Sequence, residues 1–194
     1  MSDAFERAIA AIDALNAQDP RQDPYEAGQP YEAAYSQRMT RRLEALEPAA
    51  SEALRLAARA QHVARWRIPR TDYPMDRAGY KRWRTDLATM HAQTTGEIMR
   101  DAGYGDEAIG RVQSLLKKKN LKTDPECQVL EDAICLVFLE SYFADFAAQH
   151  DEEKLIRILQ RTWAKMSERG HEAALKLPLS AEIGRLLKKA LSAG

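Results

Sequence analysis

The chain has 194 residues, 45% of them hydrophobic and 30% charged, values ordinary for one soluble domain long enough to bury a core. It contains no apolar run of about eighteen residues and no basic, apolar, small-residue order at its N-terminus, so membrane spanning and export are excluded as expectations and a cytoplasmic protein is expected. Net charge is zero, but residues 1–58 carry 6 Lys+Arg against 10 Asp+Glu (−4), residues 59–122 carry 14 against 7 (+7), and residues 123–194 carry 9 against 12 (−3); the basic middle means either mutual complementation of segments or an electropositive cleft that attracts phosphates.

Taken in order, nearly every segment reads as helix. Ser2 can cap a first helix with Phe5, Ile9, Ile12 and Leu15 at spacings of three and four. The polar stretch Asp19 to Pro30, with three prolines, predicts a surface loop or a flap. Tyr31, Tyr35, Met39, Leu43 and Leu46 predict a second helix ended by Pro48, and a third runs from about Ala50 to Trp66. After a loop from Arg67 to Asp76, a long helix is expected from Arg77 to Ala102, with Tyr80, Trp83, Leu87, Met90, His91, Thr94 and Ile98 along one stripe.

Gly103 closes that helix, and Asp106 caps the next, whose last turn is predicted to hold Lys117, Lys118 and Lys119. Thr123-Asp124-Pro125 starts a helix running to about Gln149 that is apolar nearly all round, and so central. Another is predicted from Asp151 to Arg169, ended by Gly170, followed by a short segment from His171 to Pro178 and a last helix capped by Ser180. With no alternating strand pattern and no repeat, the fold class is all-α, one helical bundle divided as 1–48 (N-terminal extension), 49–169 (core) and 170–194 (C-terminal helices). Cys127 and Cys135, eight residues apart on one helix, would sit about 12 Å apart, too far to bridge.

Ionisable groups at core-facing positions cost free energy unless paired or metal-bound, so His91 on its apolar stripe and Glu131 with Asp132 in the most hydrophobic segment mark a candidate site. The run His91-Ala-Gln-Thr-Thr-Gly-Glu-Ile98, then Gly103-Tyr104, Ile109-Gly-Arg-Val112 and Leu130-Glu-Asp132-Ala133, resembles the second half of HD-domain proteins, a helical superfamily of metal-dependent phosphohydrolases. His62 stands where that superfamily often has its first histidine ligand. The sequence departs from the pattern twice: its one His-Asp pair, His150-Asp151, follows Asp132, and Lys118 and Lys119 stand where hydrolytic members often place histidines. The whole chain, with Ile68-Pro-Arg, Gly79-Tyr-Lys-Arg-Trp-Arg-Thr-Asp86 and Thr162-Trp-Ala-Lys-Met-Ser167, also resembles the domain-of-unknown-function family 4202, sometimes loosely labelled glutamyl-tRNA synthetase. Lys165-Met166-Ser167 resembles the start of a synthetase signature loop, but the sequence has no companion histidine signature and no strand-helix alternation to build a nucleotide-binding sheet.

The HD resemblance implies His62, His91 and Asp132 as ligands of one divalent Mn, Fe, Co, Ni or Zn ion, which would lower the pKa of a bound water for attack on a phosphate ester. Glu97 and Glu131 would serve as base or orienting group, and Lys118 and Lys119 as charge-stabilising groups. Arg65, Arg82, Arg84 and Lys117 would hold phosphate oxygens. The expectation is a phosphohydrolase acting on a nucleotide or other phosphorylated small molecule. The alternative is a non-catalytic module for a phosphate ligand or RNA, because ammonium groups repel a divalent metal yet attract phosphate. Trp66 and Trp83 among basic residues favour RNA, and the zero net charge argues against a large nucleic-acid footprint.

Overall fold

A computed structural model describes residues 2–192. Helix α1 is Asp3–Asn16, capped by Ser2, whose hydroxyl accepts the Phe5 N–H. Helix α2 is Tyr31–Leu46 and α3 is Glu52–Arg59, the latter capped by Ser51. The long α4, Arg77–Asp101, starts on the Asp76 carboxylate, and α5 is Asp106–Leu116. Helix α6, Pro125–Val137, leads through a π-helical turn, Phe138–Tyr142, into α7, Phe143–Ala147. Three amphipathic helices follow: α8 Glu152–Trp163, α9 Glu168–Leu175 and α10 Ala181–Ser192. The chain is a single all-α domain, and among the described residues the only β-type pairing is one isolated bridge, Gln22 with Pro30. None of these helices is long and apolar enough to cross a membrane.

Two apolar clusters meet along α6. One joins α1 to α5 with the first part of α6, through Ile12, Met39, Leu54, Leu115 and Leu130, and the other joins Leu136, Leu139 and Phe143 to α8, α9 and α10. Burying each such large side chain contributes about 1.5–3 kcal/mol relative to leaving it in water. Helix α6 is therefore central, as its all-round hydrophobicity predicts. Cys127 and Cys135 are free and buried on it, and burial pushes the Cys135 thiol up to about 12.

Four predicted helix boundaries are corrected. The third helix stops at Arg59 rather than Trp66, because Ala64 adopts φ +53° and its N–H is taken by the buried Asn16 side chain at 3.1 Å. The fifth stops at Leu116 rather than including the lysines, with Lys118 at φ +52° and Asn120 at φ +62°. The helix from residue 126 does not run evenly to Gln149: it passes through the π turn that presents Tyr142, whose hydroxyl oxygen accepts from Arg38 at 2.8 Å. The helix expected from 151 to 169 breaks after Trp163, where Ser167 starts α9. Gly170, predicted to end a helix, lies within α9, and a Cβ there would come 2.7 Å from Asp132 Oδ1.

The loop before α2 is pinned by charge. Asp23, only 4% exposed, accepts from Arg38 at 2.6 and 2.8 Å and from the Tyr25 and Glu26 N–H groups. Burial pushes its carboxyl up, but those hydrogen bonds outweigh burial and hold it below its ordinary value. Asp19 binds Arg21 and accepts the Glu32 N–H at 3.1 Å, which fixes how the chain enters α2. That entry places Glu32 and Tyr35 against the turn that follows α3.

Candidate functional site

A cavity of about 380 Å³ opens where that turn, the middle of α4 and the end of α5 converge. His62, Gln61 and Arg65 come from the turn, Arg84, Ala88 and His91 from α4, and Leu116, Lys117 and Lys118 from the end of α5. The left-handed residues Ala64 and Lys118 stand on either side, each in a conformation that costs an L-residue roughly 1–2 kcal/mol.

The two imidazoles lie with ring centroids 6.0 Å apart. His62 stacks on Tyr35 at 3.9 Å and 12°, and its Nδ1 comes 3.3 Å from Oε2 of Glu32, which is fully buried. That approach is an electrostatic contact and not a formed hydrogen bond, since neither atom has a hydrogen-bond partner. Glu32 is held from its other oxygen by Arg21 at 2.7 Å. Burial pushes the Glu32 carboxyl up against the opposing pull of Arg21 and Arg65. Burial, then the charges of Arg65, Arg84 and Lys118, hold His62 well below its ordinary value. His91, 4% exposed, is pushed down to about 3 by burial and by His62, and its Nδ1 sits 2.8 Å from the Val63 carbonyl oxygen. His91 Nε2 and Gln61 Oε1 are buried with no partner.

Arg65 feels the Glu32 charge without forming a salt bridge to it. Among the described residues Arg65, Arg84 and Lys117 form no ion pair, while Lys118 pairs with the buried Glu131, which also lies 3.8 Å from Lys165. Arg65 is positioned by the Trp83 ring, 4.7 Å from its guanidinium carbon, and Trp83 donates Nε1–H to the Ile68 carbonyl at 2.8 Å. Trp83 thereby ties the short 3₁₀ turn Arg65–Arg67 to α4 and is committed to that contact.

The structure brings together His62, His91, Arg65, Arg84, Lys117 and Lys118, with Glu131 reached through Lys118. Glu97, Arg82 and Lys119 are exposed and do not line the cavity. Asp132 serves another purpose: Oδ1 accepts the Ser167 N–H at 2.8 Å and the Gln128 amide at 3.0 Å, and Oδ2 accepts the Ser167 hydroxyl. The divalent metal implied by the HD resemblance is not fitted by these residues. Asp132 has its oxygens spent, arginine and lysine crowd the two imidazoles, and among the described residues no group of three or more His, Cys, Asp or Glu side chains is placed to hold an ion. Gln61 in the cavity wall, and Glu32 and Tyr35 behind His62, are residues that sequence reasoning missed; for the last two the available signal was Glu32 three residues before Tyr35 on one face of α2, preceded by a proline-rich polar loop.

No curated protein and no solved structure matches the chain. Residues 6–187 match the family model described as domain of unknown function (DUF4202). The match spans nearly the whole chain, including every residue that lines the cavity, and the protein belongs to that family.

Proposed function

We propose that the cavity binds the phosphate group of a small molecule. The observation that carries this reading is the convergence of Arg65, Arg84 and Lys117, from three separate segments and without salt-bridge partners, on one concave site. Arg65 is half-buried and Arg84 and Lys117 are exposed; three cations without a salt-bridge partner on one concave surface favour an anion, and guanidinium groups match phosphate oxygens through paired N–H donors. Titration calorimetry with inorganic phosphate and pyrophosphate tests it. Binding should weaken with added salt, and Arg65→Ala or Arg84→Ala should each weaken it roughly 10- to 100-fold, the value of a charge-assisted hydrogen bond. No heat from either ligand at millimolar concentration, with the protein folded, would sink the proposal.

Hydrolysis of a phosphate ester at the same place is a second reading, favoured by the buried Glu32 carboxyl behind His62 Nδ1. In that arrangement the other ring nitrogen, Nε2, takes a proton from water as its oxygen attacks phosphorus. The phosphorus–oxygen bond to the leaving alcohol breaks, and the proton returns to the alkoxide. Release of p-nitrophenol from p-nitrophenyl phosphate, absent in His62→Asn, is the expected result; equal release from both proteins overturns it.

A further inference from the structure

Between residues 21 and 59 every arginine is spent: Arg21, Arg38, Arg41, Arg42, Arg55 and Arg59 each sit in an ion pair. The next segment reverses this. Residues 65–86 carry seven cations against three carboxylates, and among the described residues none of the seven forms an ion pair. Two of those carboxylates are occupied: Asp76 accepts the Gly79 N–H as the cap of α4, and Asp86 accepts the Tyr73 hydroxyl at 2.8 Å. Positive charge left without a counter-charge marks a surface that attracts anions.

That charge runs out of the cavity along one side of α4. Arg77, Tyr80, Lys81, Arg84, Ala88 and His91 recur at spacings of three and four, which places them on one side of the helix. Arg84, Ala88 and His91 line the cavity, so Arg77, Tyr80 and Lys81 extend the row beyond it, and all three are exposed. At 1.5 Å per residue the row from Arg77 to His91 is about 21 Å long. A stacked strand advances about 3.4 Å per nucleotide, so the row matches roughly six nucleotides and exceeds one.

Tyr80 gives the row a second chemistry. The residue is 46% exposed, with the Arg70 guanidinium carbon 6.0 Å from its ring centroid and the Trp83 ring against it at 5.8 Å. Arg70 donates to the carbonyls of Tyr73, Pro74 and Asp76, and Trp83 is held by Arg65 and the Ile68 carbonyl. The ring is therefore an exposed aromatic on a fixed support, ordered before any partner arrives. An acidic protein or a lipid headgroup would engage the cations and leave the ring idle. A nucleic-acid strand brings phosphates for the cations and a flat π-face for the ring.

We infer that this side of α4 binds single-stranded nucleic acid, a base stacking on Tyr80 and phosphates held by Arg77, Lys81 and Arg84. The inference goes beyond the phosphate reading and does not depend on it, since Arg77, Tyr80 and Lys81 lie outside the cavity. RNA and DNA strands share the required chemistry.

Fluorescence anisotropy on the full chain, with labelled oligoadenylates of about twelve nucleotides in ribo and deoxyribo form, tests it. At least one strand should bind, its affinity falling between about 50 and 200 mM salt with a log–log slope of about −0.7 per phosphate engaged. Tyr80→Ala should weaken binding about 5- to 150-fold at unchanged slope, the worth of stacking one base, and Tyr80→Phe should bind as the wild type does. Tyr80→Leu, which keeps an apolar side chain beside Trp83 and loses the flat face, gives the same reading if Tyr80→Ala fails to fold. Arg77→Ala with Lys81→Ala should flatten the slope by about 1.4. Polyglutamate of equal charge should compete poorly. No anisotropy change with either strand at low salt overturns the inference, as does wild-type affinity in the folded Tyr80→Ala or Tyr80→Leu variant. Equal competition by polyglutamate also overturns it and assigns the face to an acidic protein. The tighter-binding strand names the source as RNA or DNA.

Discussion

The four histidines fall in two regions that use the side chain differently. In the C-terminal half, His150 stacks on Phe146 and bonds its carbonyl at 2.8 Å, and His171 stacks flat on Trp163 and bonds that carbonyl at 2.9 Å. These rings are spent on nearby residues of the same chain segment. In the N-terminal half, His62 and His91 are brought together from segments 29 residues apart, and each keeps a buried nitrogen without a partner. The carboxylates divide the same way: Asp132 is consumed in starting α9, whereas Glu32 faces His62 with an oxygen still unpartnered. Among the four histidines and these two carboxylates, unfilled hydrogen-bonding capacity in a buried place, rather than the residue type, separates the N-terminal group from the C-terminal one.

The contrast makes separable predictions. The largest effect is expected at Asp132→Ala, which orphans the Ser167 N–H, takes one of the two acceptors of the Gln128 amide and removes the group against which Gly170 packs; it should cost about 2–4 kcal/mol in urea unfolding. The folded variant should keep its phosphate affinity, and loss of affinity at unchanged stability would place Asp132 in the site after all.

Acid sensitivity comes next. His91 titrates at about 3 when folded against an ordinary 6.5, and His62 is shifted the same way. The unfolded chain therefore takes up these protons first, so stability is complete above about pH 6.5 and falls as pH drops from there towards about 3. Each ring adds up to about 1.4 kcal/mol per pH unit to that slope, and His91→Leu should remove its share, measured by urea unfolding at several pH values between 6.5 and 4.5. An unchanged slope would mean that His91 is not buried as a neutral ring. Asp19 and Asp23, held below their ordinary 3.8, lose their contribution only at lower pH, whereas Glu32, held above its ordinary 4.5, gives a slope of opposite sign above that pH, so the change of slope on His91→Leu, and not the absolute slope, is the readout.

The smallest effect separates neighbouring lysines. Lys119→Ala, at an exposed position outside the cavity, should change stability by no more than about 0.5 kcal/mol and leave phosphate affinity alone. Lys118→Ala strips the buried Glu131 of its closest cation and should destabilise by about 1–3 kcal/mol. Equal effects from the two would remove the distinction that the left-handed turn creates.

The helical class and the central place of residues 125–147 follow from apolar spacing and capping residues, because these act within a few turns of one another. So do His91 on an inward stripe and a basic middle segment. Where the helices stop was decided elsewhere: Asn16 ends the third by binding the Ala64 N–H 48 residues away, and Asp132 starts α9 through Ser167, 35 residues away. Such contacts leave no periodic trace. Tertiary structure also chose among the candidates, drawing Glu32 and Tyr35 to His62 through a loop locked by Asp19, Asp23 and Arg38, and sending Asp132 to α9. Sequence alone determined which residues prefer the interior, because hydrophobicity and helical period are local properties. Only the packed chain decided which buried polar atoms found partners and which were left without one.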